Sequence, residues 1–183
     1  MPTELPQHPV EATLHPGNLN WTLHLHRDLP EDQDTVWDAI TRADLVAKWM
    51  PFRPSGDLIA TGDVWLTPTD GGETDAQGHV LEVQAPSSLR YLWVADELRF
   101  EVTPKNDGTA LDFAHTFDDR HSAAKFAAGW HLCLAALELL LAGKDVPSVV
   151  GQNALAYGWE DLERAYSTLF EDNDSTPEPM GDL

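Results

Sequence analysis

One histidine and a set of aromatic side chains are the residues of this 183-residue sequence best suited to hold a small molecule. Apolar and polar or small residues alternate over positions 111–118, which predicts a strand. The side chains on its inner face would be Leu111, Phe113, His115 and Phe117. His115 is then a titratable group among apolar walls. It can orient a polar group of a guest or bond within a packed core, and the sequence leaves both roles open.

Seven tryptophans are many for this length, and several of them could form one aromatic wall. The predicted pocket lies between the strand of Phe113 and His115 and a helix that carries Trp130 and Leu134. A solid core would use the same side chains, so a packed interior is the alternative. The predicted ligand-binding residues are Trp49, Trp65, Trp93, Phe113, His115, Trp130 and Leu134.

Other chemistries find little support in the sequence. His24 and His26 share a strand face at i, i+2, but no third ligand follows at a suitable spacing, so we predict neither a metal nor another cofactor. Cys133 lies among leucines, where a thiolate would be destabilised, and no nucleophile elbow or glycine-rich nucleotide loop occurs. His131 stands seven residues before Glu138 on the narrow polar strip of its helix and is expected at the surface.

The charge and composition exclude some partners. The chain has 31 acidic against 11 basic residues, a formal net charge of −20. Nucleic acids and anionic membrane surfaces are disfavoured because binding them requires Lys and Arg. No apolar run resembles a signal peptide or reaches a membrane span, and one cysteine excludes an intrachain disulfide. These features predict a cytoplasmic protein without membrane insertion.

The element that must position the aromatic residues is a helix over about 123–142, with Ser122 able to cap it and Gly143 able to end it. It is apolar nearly all round, so a partner surface must wrap it, and a curved sheet is the best candidate. Short helices over about 31–40 and 43–49 follow the first strand. We predict an α+β fold, with an antiparallel sheet of six or seven strands around the long C-terminal helix. The predicted strands are 20–27, 63–67, 78–84, 89–95, 97–103 and 109–118.

The ends of the chain differ from its middle. Residues 1–18 contain four prolines and little periodicity, and residues 171–183 are acidic, so both are predicted to be flexible or disordered. One domain is predicted over 19–170. Near its end a second amphipathic helix packs on the outside of the domain or, alternatively, forms a homodimer face. Its apolar stripe is Leu155, Trp159, Leu162, Tyr166 and Leu169.

Several sequence motifs together resemble a known family. They are G-x-V-x-E-V-x-x-P-x-x-L-x-Y-x-W over 78–93, T-V-W-D-A-I over 35–40, Lys48-Trp49, and G-W-x-x-x-L-x-x-L-x-x-x-L-x-G over 129–143. Their order and spacing are similar to the START-related helix-grip (SRPBCC) superfamily, in the branch of the activator of heat-shock-protein-90 ATPase. The resemblance covers about residues 19–170. It implies a bent antiparallel sheet that grips the long helix, an internal cavity, and an inward aromatic at Trp65.

The resemblance leaves three functions open, because this superfamily serves many. The favoured one is a binding protein for a small hydrophobic molecule, with no catalytic residue. An enzyme of cyclase, dehydratase or hydrolase type is the first alternative, for which a single acid or base such as His115 or Tyr91 would suffice. A chaperone-regulating interaction domain is the second. That activity is not transferred directly, since such activators usually bring a further domain for which this chain has no room.

Overall fold

A single curled antiparallel sheet dominates the structure, a computed structural model that describes residues 3–174. Its strand order is β1-β2-β8-β7-β6-β5-β4-β3, and every neighbouring pair is antiparallel. The sheet has eight strands, more than the six or seven predicted, because β1 and β3 are too short to show a period. The strands are β1 Thr13–Pro16, β2 Trp21–Leu29, β3 Phe52–Pro54, β4 Gly62–Pro68, β5 Ala76–Gln84, β6 Ser88–Trp93, β7 Asp96–Lys105 and β8 Gly108–Phe117.

In the described part of the chain, four α-helices accompany the sheet: α1 Gln33–Thr41, α2 Ala43–Trp49, α3 Ala123–Leu141 and α4 Trp159–Asp174. Asp32 caps α1 by accepting a hydrogen bond from the Thr35 amide at 2.8 Å. Ser122 occupies the N-cap position of α3 but makes no side-chain cap bond. A 3₁₀ turn at Arg120–Ser122 precedes α3 instead, and Asp119 caps that turn.

Helix α3 is the centre of the core, as the all-round apolar pattern predicts. By length and composition it could cross a membrane, yet 67% of its most apolar stretch of 18 residues is buried within the fold. Buried side chains of β2, β7 and β8 join it in one apolar cluster. The helix-grip arrangement of sheet and long helix is therefore confirmed.

The N-terminal segment packs against the domain. Residues of β1 pair with β2, with Thr13 opposite His24. Leu5 is buried in the main apolar cluster, and His8 Nε2 lies 2.6 Å from Glu138 Oε1 of α3. Residues 3–16 thus add one edge strand and one apolar anchor to the domain, contacts with distant residues that a local pattern does not reveal.

The part of the C-terminal apolar stripe that lies in α4 packs on the same domain, whereas Leu155 stays 49% exposed. The predicted helix begins later than expected, because Gly151–Tyr157 forms a 3₁₀ segment that ends at Gly158 with φ +80°. Helix α4 then lies along α3 and buries Tyr166 and Phe170. It reaches Asp174, so part of the predicted acidic tail is helical, and positions 175–183 lie outside the described residues.

The expectation that His131 is exposed is wrong. Its side chain is only 6% exposed, because α4 covers the polar strip of α3. His131 Nδ1 and the Tyr166 hydroxyl are 2.8 Å apart and share a hydrogen bond. Burial, followed by the nearby charges of Arg27 and His8, lowers the pKa of His131 to about 4.

Candidate functional site

A largely apolar pocket lies beside the N-terminal half of α3 and has a volume of about 380 Å³. The segment 149–155 and the start of α4 form its outer wall. Pro51 and Trp93 close the side toward the sheet. The other apolar residues that line it are Phe126, Gly129, Trp130, Cys133, Val149, Val150, Gly151, Ala154, Leu155 and Trp159, while Lys125 and Gln152 supply polar groups.

Trp93 and Trp130 form the inner wall of this pocket. Their ring centroids are 6.0 Å apart at an interplanar angle of 71°, an edge-to-face contact. Trp93 also lies 5.3 Å from the ring of Phe52, and Trp130 lies 4.8 Å from that of Phe113. Both indoles are therefore held by aromatic neighbours on the side away from the pocket.

A buried polar chain fixes the orientation of Trp130. Its indole Nε1–H donates to His115 Nδ1 at 3.0 Å, and His115 Nε2 lies 2.8 Å from Asp96 Oδ2. Because an indole N–H can only donate, Nδ1 of His115 must carry the lone pair and Nε2 the proton that is donated to Asp96. Both ring nitrogens of His115 thus have partners within the core, and the side chain is 0% exposed.

Glycine at position 129 widens the pocket. Gly129 lies inside α3, and a Cβ atom added there would meet no heavy atom within 4 Å. A glycine inside a helix costs about 0.8–1 kcal/mol relative to alanine. No neighbouring atom would clash with a side chain at this position. The effect of the glycine is therefore to leave open space between α3 and the 149–155 segment.

The structure separates the seven residues that the sequence analysis assigns to a pocket. Trp93 and Trp130 line the open space. The other five do not line this pocket, and Phe113 and His115 on β8 contact neighbouring aromatic rings. Residues packed in the core are Trp49, Phe113, His115 and Leu134, of which Trp49 donates its Nε1–H to the Ala39 carbonyl at 2.9 Å.

The expected inward orientation of Trp65 is wrong. Its side chain is 54% exposed on the outer face of β4. Val64 and Leu66 are buried on either side of it, and because side chains alternate along a strand, Trp65 must point outward.

Sequence reasoning missed both Asp96 and the outer wall of the pocket. The β6–β7 hairpin turns through Val94-Ala95, where Val94 has φ +57°, and neither residue is a typical turn residue, so the role of Asp96 was hidden. The segment 149–155 carries no regular period. Only the composition of the segment, Val149, Val150 and Leu155 beside a glycine, hints that it covers an apolar surface.

Three other side chains that could act as nucleophiles, acids or bases are either buried or paired with a carboxylate. Burial raises the pKa of the Cys133 thiol to about 12, so the thiol that borders the pocket is not a nucleophile at neutral pH. Tyr91 is fully buried, and burial raises its pKa far above the usual value. His26 lies 2.7 Å from Asp112, and this hydrogen bond is the largest cause of its raised pKa. Within residues 3–174 no three His, Cys, Asp or Glu side chains are grouped to hold a metal ion.

Comparison with known proteins identifies the family. The family model described as "Activator of Hsp90 ATPase homolog 1-like protein" matches residues 32–142, from the cap of α1 to the end of α3. The chain belongs to this family. The resemblance to the AHSA1-like branch of the helix-grip proteins is thereby confirmed. No match is found among curated proteins.

Solved structures share the fold of this AHSA1-like chain. A conserved protein of unknown function from Enterococcus faecalis, EF2215, has a TM-score of 0.71 at 16% identity, over 89% of this chain and 92% of its own. CalU16 from Micromonospora echinospora has a TM-score of 0.68 at 20% identity, over 87% and 96%. An AHSA1-like protein from Aeromonas hydrophila has 0.55 at 21% identity, over 67% and 94%. At these identities the likeness shows the fold alone.

Proposed function

We propose that this AHSA1-like protein binds a small apolar molecule in the pocket beside α3. Gly129 carries the proposal, because a helix that is otherwise rich in alanine and leucine has its one glycine where a side chain would fill the pocket. The apolar walls would bind the guest by removing its surface from water. Trp93 and Trp130 supply flat surfaces suited to a planar or acyl group.

Four of the seven residues predicted from sequence then act in two groups. Trp93 and Trp130 would contact the guest. Behind them, Phe113 and His115 support the ring of Trp130, the first by packing and the second through its hydrogen bond. A rigid wall favours binding because less side-chain entropy is lost when the guest enters.

Binding without catalysis is favoured over the enzyme alternative. Both nitrogens of His115 have partners, Tyr91 is enclosed by the core, and Cys133 is held as a thiol. A general acid or base must reach the proton that it transfers, and neither His115 nor Tyr91 borders the pocket.

Filling the pocket tests the proposal. Gly129→Leu should abolish ligand binding, and its fold should persist because the new side chain enters open space. The matched control Gly129→Ala should retain binding and raise stability by up to about 1 kcal/mol, the helix-propensity difference. Trp65→Leu removes an exposed indole that does not line the pocket and controls for the fluorescence signal.

Binding is measured by the change in tryptophan fluorescence with a panel of fatty acids, aromatic polyketides and flavonoids, and unfolding by thermal denaturation. Native mass spectrometry of the protein from its own host would identify a co-purifying guest. A Gly129→Leu variant that is folded and binds as tightly as the wild type would refute the assignment of the site.

A further inference from the structure

Unpaired positive charges gather around the apolar pocket although the chain as a whole is strongly acidic. Seven of the 11 basic side chains form ion pairs with carboxylates: Arg27, Arg42, Arg90, Arg99, Lys105, Arg120 and Arg164. The other four have no acidic partner within residues 3–174. Three of those four, Lys48, Lys125 and Lys144, border the apolar pocket or the pocket next to it, and Arg53 does not.

The second pocket has a volume of about 410 Å³ and lies between α2 and the chain that follows α3. Val149 and Val150 border both pockets, and Met50 of the second pocket directly precedes Pro51 of the first. The two spaces are therefore neighbours. They differ in chemistry, because the second contains Lys48 and Lys144 together with hydroxyl groups.

One of those hydroxyl groups is free to donate. Ser148 Oγ accepts a hydrogen bond from Asn153 Nδ2 at 3.0 Å, which leaves the Ser148 hydroxyl proton available. The Thr69 hydroxyl already donates to the Met50 carbonyl at 2.9 Å. Asp145 also borders the pocket, so two ammonium groups face one carboxylate and the balance is one positive charge.

We infer that the guest is an amphiphile with one anionic head group, and that this head binds between Lys48 and Lys144 while the apolar part occupies the pocket of Trp93 and Trp130. The inference rests on the proposed function. A net charge of −20 repels anions at long range, so an anionic guest needs a local cluster of cations to bind. The head can be a carboxylate or a phosphate, since ammonium and hydroxyl groups bind both.

Each lysine also has a structural role that the test must separate. Lys48 lies in the last turn of α2, and Lys144 follows the end of α3, where a cation interacts favourably with helix carbonyl groups. Removing them can lower stability without any effect on a guest. The readout is therefore discrimination between head groups, which a purely structural role would not change.

The experiment compares decanoate, decyl phosphate and decanol, all below their micelle concentrations, by tryptophan fluorescence at low ionic strength. For the wild type we expect one or both anions to bind more tightly than the alcohol, and added salt to reduce the difference. The double variant Lys48→Gln/Lys144→Gln should lose roughly three- to thirtyfold in affinity for the anion, as for two partly exposed ion pairs, and should bind decanol unchanged.

Arg53→Gln is the matched control, because it removes a basic side chain that borders neither pocket. It should leave the preference for anions intact. If Lys125→Gln removes the preference and the double variant does not, the head lies at the mouth of the apolar pocket and the assigned subsite is wrong. If decanol binds as tightly as both anions, the inference fails and the proposed function stands. If none of the three binds, the inference fails, and the aromatic polyketides and flavonoids of the panel then test the proposed function separately.

Discussion

At the scale of single residues, the Asp96–His115–Trp130 chain explains why a histidine lies at the centre of an apolar core. A buried indole N–H without a partner would cost free energy, and His115 supplies its acceptor. Asp96, whose side chain is partly exposed, then accepts from the other nitrogen. The histidine thus links the surface of the sheet to the wall of the pocket.

Replacing His115 tests this role. His115→Phe should lower the free energy of unfolding by about 1–3 kcal/mol, because the Trp130 N–H loses its acceptor. In the double variant His115→Phe/Trp130→Phe the unpaired donor is gone, so part of that loss should be recovered. Denaturant unfolding of the wild type, both single variants and the double variant gives the coupling free energy. A coupling of about zero would mean that the hydrogen bond contributes nothing to stability.

At the scale of elements, α4 turns a polar strip of α3 into buried structure. Tyr166 packs against His131, with their ring centroids 5.9 Å apart, and Phe170 stacks on Tyr166. Burial raises the pKa of Tyr166 to about 12, so its hydroxyl stays protonated over the physiological range. The buried His131–Tyr166 pair is therefore uncharged at neutral pH.

The stability of the folded chain should depend on pH. His131 has a pKa of about 4 in the folded chain, below the ordinary histidine value of 6.5, so between these values the unfolded chain binds a proton that the folded chain excludes. Stability should therefore fall as the pH drops from about 6.5 to 4, by up to about 1.4 kcal/mol per pH unit from this group. His131→Gln should flatten that slope relative to the wild type.

The measurement is the free energy of unfolding in denaturant at a series of pH values, compared between wild type and variant so that other titrating groups cancel. The exposed His121, changed to Gln, serves as control and should leave the slope unchanged. If the free energy of unfolding depends on pH in the same way for the wild type and His131→Gln, His131 has the same pKa in the folded and unfolded chain, and the prediction is wrong.

At the scale of the whole molecule, the apolar surface is largely used within the chain. The α4 stripe that could have formed a dimer face packs on α3, with Tyr166 buried and Leu162 and Leu169 half-buried. The large apolar side chains that stay exposed lie on separate elements and turns. Within residues 3–174 they are Leu19, Ile59, Trp65, Leu81, Val94 and Leu155.

We therefore expect a monomer. Light scattering at high protein concentration should give a mass near 20.3 kDa. The high net negative charge also opposes self-association, so the measurement should be repeated at high salt, where this repulsion is screened. Twice the monomer mass under both conditions would contradict the prediction and would assign a remaining apolar surface to a dimer contact.

The sequence by itself determined the features that depend on local pattern. An all-round apolar helix must be enclosed, and alternating strands joined by short turns must form an antiparallel sheet, so the helix-grip fold, α3 and the inner face of β8 could be predicted from residues 20–142. The family could be recognised from the spacing of the motifs, because that spacing is also a local feature of the sequence. Trp93 and Trp130 could also be selected as pocket residues, because large aromatics on facing elements are limited in where they can lie.

Only the tertiary structure decided which surfaces meet. The alternation in β4 places the side chain of Trp65 on the opposite face from those of Val64 and Leu66. Which of the two faces points toward the core depends on how β4 pairs with β5. His131 has the sequence pattern of a surface residue, and it becomes buried because α4 returns across α3. The pocket depends on segment 149–155 lying over Gly129, a contact between parts of the chain with no shared period. Long-range packing of this kind is not encoded in the local spacing of residues.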